Sequence, residues 1–253
     1  MKISVVVPTL NSEEDIKRLL KSIEDNGISK DIELIVVDAN STDSTISIAN
    51  QYKFTKVIHA GLCSKGKARN EGVQNSSNNI IANIDADTEL LPGWSTAILS
   101  SLKHADIVAG YSSNPNKNNL PRVPIIVDGQ DITWPCCNIA HKQSVFNSVG
   151  LFHDSFTMSA EDCDFNFRCI KHGYIITYNP NMKLYHHQRT SFTKFCKQSY
   201  WNGYYRKGLQ KLHPELSLSN MHNLQFKNLF RLSFGALGYL TGDWRTKKGE
   251  KHS

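Results

Sequence analysis

No stretch of this 253-residue chain supplies the roughly 18 consecutive apolar residues that a membrane-spanning helix requires. The apolar part of the opening run, Met1-Lys2-Ile3-Ser4-Val5-Val6-Val7-Pro8, is too short for a signal peptide and reads as a first strand. Cys63, Cys136, Cys137, Cys163, Cys169 and Cys196 include no Cys-x-x-Cys spacing, which argues against a zinc site and for buried thiols in a reducing cytoplasm. Internal repeats and low-complexity tracts are absent. Acidic residues are scarce at one end: residues 183–253 hold 3 Asp/Glu against 13 Lys/Arg, a balance of +10, whereas residues 1–182 hold 20 against 16, a balance of −4. Such a split points to an anionic partner for the tail: a phosphate-bearing substrate, a membrane surface or nucleic acid.

What is present is an alternation of strand and helix signals. Ile3 to Val7 is a nearly continuous β-branched run, as expected of a strand covered on both faces. Ser12 is placed to cap a helix whose Ile16, Leu19, Leu20 and Ile23 fall on one face and which ends before Gly27. Leu34 to Val37 reads as a second strand, followed by a helix over Ser44 to Tyr52 and a strand at Lys56 to Ile58. A helix over Lys67 to Val73, a strand over Ile80 to Ile84, a helix after Pro92 and a strand at Ile107 to Ala109 complete the first half. This rhythm predicts an α/β fold with an open, mostly parallel sheet flanked by helices, within reach of one domain of this length.

From Tyr111 to Pro135 the pattern dissolves into Asn, Pro, Lys and Gly, as in a substrate-shaping loop. Helices over Lys142 to Val149 and Glu161 to His172, and a strand over Tyr174 to Tyr178, follow. In the tail, Phe192, Phe195, Cys196, Ser199, Tyr200, Gly203 and Tyr204 share one helix face, with Lys194, Lys197, Arg206 and Lys207 mainly elsewhere. Such a helix either docks on the preceding domain or also touches a bilayer. The apolar run Leu229 to Leu240, interrupted by Arg231, is too short to span.

Ligands of open α/β sheets gather outside the carboxyl ends of the strands, and four segments put polar residues there. Pro8-Thr9-Leu10-Asn11 follows the first strand, and Asp38 to Thr45 follows the second. Lys65 to Gly72 opens a helix, and Asp85-Ala86-Asp87 ends the Ile80–Ile84 strand. Asp38 can accept hydrogen bonds from a base or ribose, and Lys65 and Arg69 can pair with phosphates. Where the chain curls at a strand end, Asp85 and Asp87 can both reach one hard divalent ion and the diphosphate it holds. Taken singly, each segment fits turn chemistry as well; Asp43 and Ser44 read as ordinary capping residues.

In this order and spacing the segments resemble the family 2 glycosyltransferases with a GT-A fold. The resemblance covers about residues 2–190: Ile3 to Asn11, then Ile35-Val36-Val37-Asp38-x-x-Ser41-Thr42-Asp43-x-Thr45, Gly66-Lys67-Ala68-Arg69-Asn70-x-Gly72 and Ile84-Asp85-Ala86-Asp87. It continues through Asn138-Ile139-Ala140, Val149-Gly150-Leu151-Phe152 and Glu161 to Arg168. It implies a nucleotide-sugar donor contacted by Pro8, Thr9, Asn11, Asp38, Lys65, Arg69, Asp85, Glu161 and Arg189. It also implies a Mn²⁺ or Mg²⁺ ion at Asp85-x-Asp87, with Asp87 the more direct ligand and Asp85 nearer the ribose. By the same pattern Asp162 is the base of an inverting displacement, and His186 completes the metal site with His187 as the alternative. Imidazole suits Mn²⁺ better than Mg²⁺. Arg189 is placed to neutralise the diphosphate or an anionic acceptor. Asp164 and Arg168 read as structural.

Departures are few. Ala39-Asn40 stands where small glycine-type residues often follow the Asp, and Ser112 to Cys137 matches no subfamily. Trp134 either stacks on a sugar or sits in the core. The Gln-x-x-Arg-Trp motif of processive polymerases is missing, which favours single-sugar transfer. A nucleotidyltransferase would need an early Gly-rich, Lys/Arg-bearing triphosphate loop that this chain lacks. A noncatalytic sugar- or nucleic-acid-binding protein would not need both acidic motifs, and the tail carries no nucleic-acid module. The expectation is an inverting enzyme in residues 1–190 with a basic helical extension in 191–253. It works in the cytoplasm or peripherally at an anionic membrane face, from a UDP-sugar by default, on a glycan or lipid-phosphate-linked acceptor.

Overall fold

The β-branched run Ile3–Thr9 (β1) is buried along its whole length, because strands without polar alternation must be covered by a layer on each face. The computed structural model describes residues 2–115, 124–187, 192–216 and 229–241. After β1 come Glu13–Asp25 (α1), Ile32–Asp38 (β2), Thr45–Ala49 (α2), Thr55–His59 (β3), Lys65–Gln74 (α3) and Ile80–Ile84 (β4). Thr88–Leu90 (β5), Trp94–Ser101 (α4), Ile107–Ser113 (β6), Ile126–Val127 (β7), Gln130–Asp131 (β8) and Asn138–Lys142 (β9) follow. Gln143–Val149 (α5), Glu161–Lys171 (α6), Ile176–His186 (β10), Phe192–Leu212 (α7) and Leu229–Thr241 (α8) complete the order.

Eight strands form one sheet in the order β3-β2-β1-β4-β9-β6-β10-β5. The pairs β3/β2, β2/β1, β1/β4 and β10/β6 are parallel, while β9 runs antiparallel between β4 and β6 and β5 lies antiparallel on β10. The sheet is therefore mixed but mostly parallel, with helices on both faces. One face packs on α1 and α4, where Ile16, Leu19, Leu20, Ile23 and Trp94 are fully buried against Val5, Val7 and Leu34. Each such aliphatic side chain contributes roughly 1.5–3 kcal/mol. The other face packs on α3, α5 and α6 through Ala68, Phe146 and Phe165. A Cβ at Gly72 would lie 2.2 Å from Val6 Cγ1; this close approach presses α3 onto β1.

Several local expectations shift. Ser12 does not cap α1 with its side chain; instead the Glu13 amide donates to Asp43 Oδ2 (3.2 Å) and the Ser12 amide to Thr45 Oγ1 (2.8 Å). Helix α2 stops at Ala49, and Ser44 makes no side-chain cap. The region between Tyr111 and Pro135 contains the end of β6 and a small hairpin, β7–β8. Asp128 and Gly129 turn that hairpin at φ 48 and 78, the left-handed pair that a two-residue loop demands. The strand expected at Tyr174 to Tyr178 runs from Ile176 to His186, with a register shift between Asn179 and Lys183. Strand β9 went unanticipated because its buried Asn138 and His141 disguise it as polar chain.

Helix α7 lies against α6: Tyr205 and Leu209 pack with Phe156, Phe167 and Ile170. Helices α7 and α8 meet through glycine, since a Cβ at Gly203 would sit 1.7 Å from Gly235 O. Ser199 and Gly203, expected on the aromatic face of the tail, are buried toward this seam. The side chains of Phe192, Lys194, Phe195 and Arg231, and the basic chain end after Thr241, lie outside the described residues. Among the described residues no helix is long and apolar enough to cross a membrane.

Candidate active site

The carboxyl ends of β1, β2 and β4 bring the four polar segments to one edge of the sheet. Pro8 and Thr9 end β1 opposite Val37 and Asp38, and Thr9 Oγ1 donates to Val37 O (3.3 Å). Asn11, at φ 47, accepts from the Thr42 amide (2.8 Å), while its own amide donates to Ser41 Oγ (2.9 Å). Buried Asp38 accepts from the Ser41 amide at 3.1 and 3.2 Å. The loops after β1 and β2 are thus zipped into one wall.

Arg69, on the buried face of α3, is 2% exposed and holds two carboxylates at once. Its Nη1 donates to Glu161 Oε1 (2.6 Å) and its Nη2 to Asp85 Oδ1 (2.8 Å). Lys65 Nζ, at the exposed start of α3, lies 3.2 Å from Asp85 Oδ2. Burial alone raises the Asp85 carboxyl, but Lys65 and Arg69 outweigh it and hold the group well below the usual carboxylate range. Asp85 in turn raises the Lys65 ammonium.

Asp85, Asp87 and His186 form a candidate metal group, their ligand atoms all within 4.8 Å of one another. His186 Nε2 lies 3.0 Å from Asp87 Oδ1 and 4.0 Å from Asp85 Oδ2. Two carboxylates and an imidazole suit a divalent ion of the Mn²⁺ type. Burial lowers the His186 pKa, but hydrogen bonds to Asp87 and Cys137 prevail and push it up to about 11; a metal ion would displace that proton. His187 turns elsewhere, to Glu89 Oε2 at 2.8 Å.

Helix α6 starts at Glu161, directly after Ala160 in the left-handed region at φ 71, a conformation costing an L-residue roughly 1–2 kcal/mol. Half-buried Asp162 accepts a hydrogen bond from the Cys163 amide (2.8 Å). Burial first, and the neighbouring Glu161 second, push its carboxyl up to about 6 against the pull of Arg69. Asp164 and Arg168 pair at 2.9 Å, and Arg168 also donates to Val149 O and Leu151 O. Trp134 stacks on Tyr178 with centroids 5.2 Å apart. Arg189 lies outside the described residues.

A model of the family described as "Glycosyl transferase family 2" matches residues 4–162. A poly(ribitol-phosphate) beta-glucosyltransferase of Bacillus spizizenii is 32% identical over 135 residues, covering 48% of this chain and 21% of that protein. The chain therefore spans about a fifth of that relative's length. The crystal structure of Staphylococcus aureus TarS 1-349 in complex with UDP-GlcNAc superposes with a TM-score of 0.69 at 20% identity, covering 95% of this chain and 72% of that one. The Pyrobaculum calidifontis mannosyltransferase PcManGT in complex with GDP-Man and Mn²⁺ gives a TM-score of 0.68 at 15% identity, with 94% and 73% covered. These two share the fold. With the family model spanning more than half of its length, this chain belongs to glycosyl transferase family 2.

Proposed function

We propose that the chain transfers a single sugar from a nucleotide-sugar, a UDP-sugar first among the candidates, to a glycan or lipid-phosphate-linked acceptor with inversion at the anomeric carbon. The observation that carries this reading is the Arg69 clamp, which ties Glu161, beside the proposed base, to Asp85, itself one of the proposed metal ligands. Direct displacement needs a base on one side of the anomeric carbon and a stabilised diphosphate on the other. Asp162 takes the proton of the acceptor hydroxyl as its oxygen attacks, and the electrons of the sugar–phosphate bond leave with the diphosphate. A carboxyl pushed up to about 6 is ionised at neutral pH yet more basic than an ordinary aspartate.

Asp85, Asp87 and His186 would hold Mn²⁺ or Mg²⁺, which when bound supplies Lewis-acid neutralisation of the leaving diphosphate. The wall of Pro8, Thr9, Asn11 and Asp38 suits a base and ribose, and exposed Lys65 can swing from Asp85 to a phosphate. Arg69, with both ends committed, acts by holding the carboxylates. Solved fold neighbours carrying UDP-GlcNAc and GDP-Man support a nucleotide-sugar donor. The name of the B. spizizenii relative, with the +10 balance of residues 183–253, favours an acceptor that carries phosphate. Attachment to an anionic membrane surface remains part of the proposal: sedimentation with anionic but not neutral liposomes, weakened by salt, is the expected result.

A screen of nucleotide-sugars with Mn²⁺ or Mg²⁺, followed by NMR of the transferred sugar, tests the whole reading. Retention of configuration would remove the single-displacement role of Asp162, and turnover unaffected by chelator would remove the metal.

A further inference from the structure

Asp162 takes its direction from the first turn of α6, and that turn is entered through a strained residue. Ala160, at φ 71, is in the left-handed region immediately before Glu161. An L-residue stays there only where its surroundings over-determine it. Downstream, Arg69 holds Glu161 from α3 (2.6 Å), and Asp164 is fixed by Arg168 and His213. Upstream, the chain is pinned as far as Phe152, whose amide and carbonyl both bond to the Asn70 carboxamide at 2.9 Å.

The stretch between these anchors, 153–160, leans on α7. Phe156 is buried, its ring centroid 6.1 Å from that of Tyr205. Thr157 and Tyr205 share a hydrogen bond between their hydroxyls. Ser159 Oγ donates to Asn202 Oδ1 (2.7 Å), and Ala160 belongs to the same apolar cluster as Tyr205 and Leu209. Residues 202, 205 and 209 are three and four apart, so one face of α7 makes these contacts. Met158, between the two bonded hydroxyls, is 58% exposed, so the hydroxyls on either side of it fix the tip of the segment.

We propose that Asn202 and Tyr205 are positioning residues for Asp162: by fixing Ser159 and Thr157 they hold the strained entry to α6 and aim the carboxylate at the acceptor hydroxyl. The catalytic unit then runs past residue 190 into α7. Both residues act through the 157–160 segment, and neither is a catalytic residue. The proposal rests on the role given to Asp162 above.

The test uses the full chain and two readouts. One is hydrogen exchange of the peptide spanning 153–162, which needs no substrate; the other is hydrolysis of UDP-GlcNAc or UDP-glucose with Mn²⁺. Tm is followed throughout. Wild type is compared with Tyr205→Phe, Asn202→Leu, the double variant, Asn202→Asp and Asp162→Asn. The double variant loses two neutral hydrogen bonds, so exchange in 153–162 alone is expected to quicken about 10-fold, with kcat about 10-fold lower and donor KM and Tm unchanged. The single variants should fall between. Asn202→Asp keeps an acceptor for Ser159 and is expected to stay close to wild type in both readouts. Unchanged exchange in the double variant overturns the brace. Faster exchange at wild-type kcat shows that Asp162 does not depend on the segment, and overturns the proposal too. Faster exchange over the whole chain, with lower Tm and no recovery in Asn202→Asp, assigns both residues to packing and does the same. Wild type no faster than Asp162→Asn removes the base reading, whatever the exchange shows, and the proposal falls with it.

Discussion

Asp162 and Asp164 stand two residues apart in the first turn of α6, yet they face different surroundings. Asp164 is fully buried and accepts from Arg168 Nε (2.9 Å) and from His213 Nε2 at the end of α7 (2.8 Å). Burial alone would raise its carboxyl, but the His213 bond and the Arg168 charge outweigh it, and the pKa is lowered. Half-buried Asp162 has one amide donor and no ion pair among the described residues, and its pKa is pushed up to about 6. The same residue type on one helix thus becomes a salt-bridged joint or a carboxyl of raised pKa according to how completely it is partnered.

The largest effect expected is on Asp162. Asp162→Asn should cost transfer on the order of 10²–10⁴-fold while donor affinity, measured by calorimetry, stays close to wild type. The rate of wild type should fall as pH drops through about 6, because the base must be ionised. Stability runs the other way. A folded pKa above the unfolded value of about 3.9 means that Asp162 drains stability as pH rises from about 4 to about 6. The Asn variant should therefore melt higher than wild type at pH 7, and a lower Tm would break the comparison.

Asp164→Ala should do the opposite, removing roughly 3–5 kcal/mol by urea titration because Arg168 is left without its buried carboxylate. Activity per folded molecule should change little. Since its folded pKa is lowered, the stability Asp164 supplies is present above about 4 and is lost as pH falls further toward the folded value. Loss of transfer without loss of stability would show that this carboxylate also serves the chemistry.

Arg69→Lys keeps the charge, but one ammonium cannot span Glu161 and Asp85 as the fork does. A destabilisation of about 1–3 kcal/mol is expected from the carboxylate left unpaired, with reduced turnover; wild-type values for both would make the clamp incidental. The smallest effect is expected at Ala160, whose φ of 71 suits glycine. Ala160→Gly should raise stability by about 0.5–1 kcal/mol, the relief of strain less the entropy glycine adds to the unfolded chain. A simultaneous fall in kcat would sharpen the contrast, by showing that the strained entry to α6 aims Asp162.

The Ile16–Ile23 stripe, the Ile80–Ile84 strand and the α6 start were legible in the chain because each depends on neighbours three or four residues away. Strand β9 was not. Its Asn138 and His141 violate the apolar pattern, and only their burial in the middle of the sheet reveals the strand. His141 shows the cost: burial lowers its pKa to about 3, so it stays neutral between Phe146 and Phe165.

The sequence by itself determined where polar residues follow strands, the ordered motifs that mark the family, and the pairing of Asp85 with Asp87 at a strand end. These follow from local period, turn chemistry and spacing. Only the tertiary structure decided that His186 rather than His187 joins the acidic pair, and that Arg69 spans two carboxylates. It also decided that Asp162 is left basic while Asp164 is neutralised by an arginine and a histidine. The reason is the reach of the contacts: Arg69 meets Glu161 across 92 positions of chain, and His213 meets Asp164 across 49. At such separations a partner is chosen by how helices pack on the sheet, and the electrostatics of each carboxylate follow from that choice.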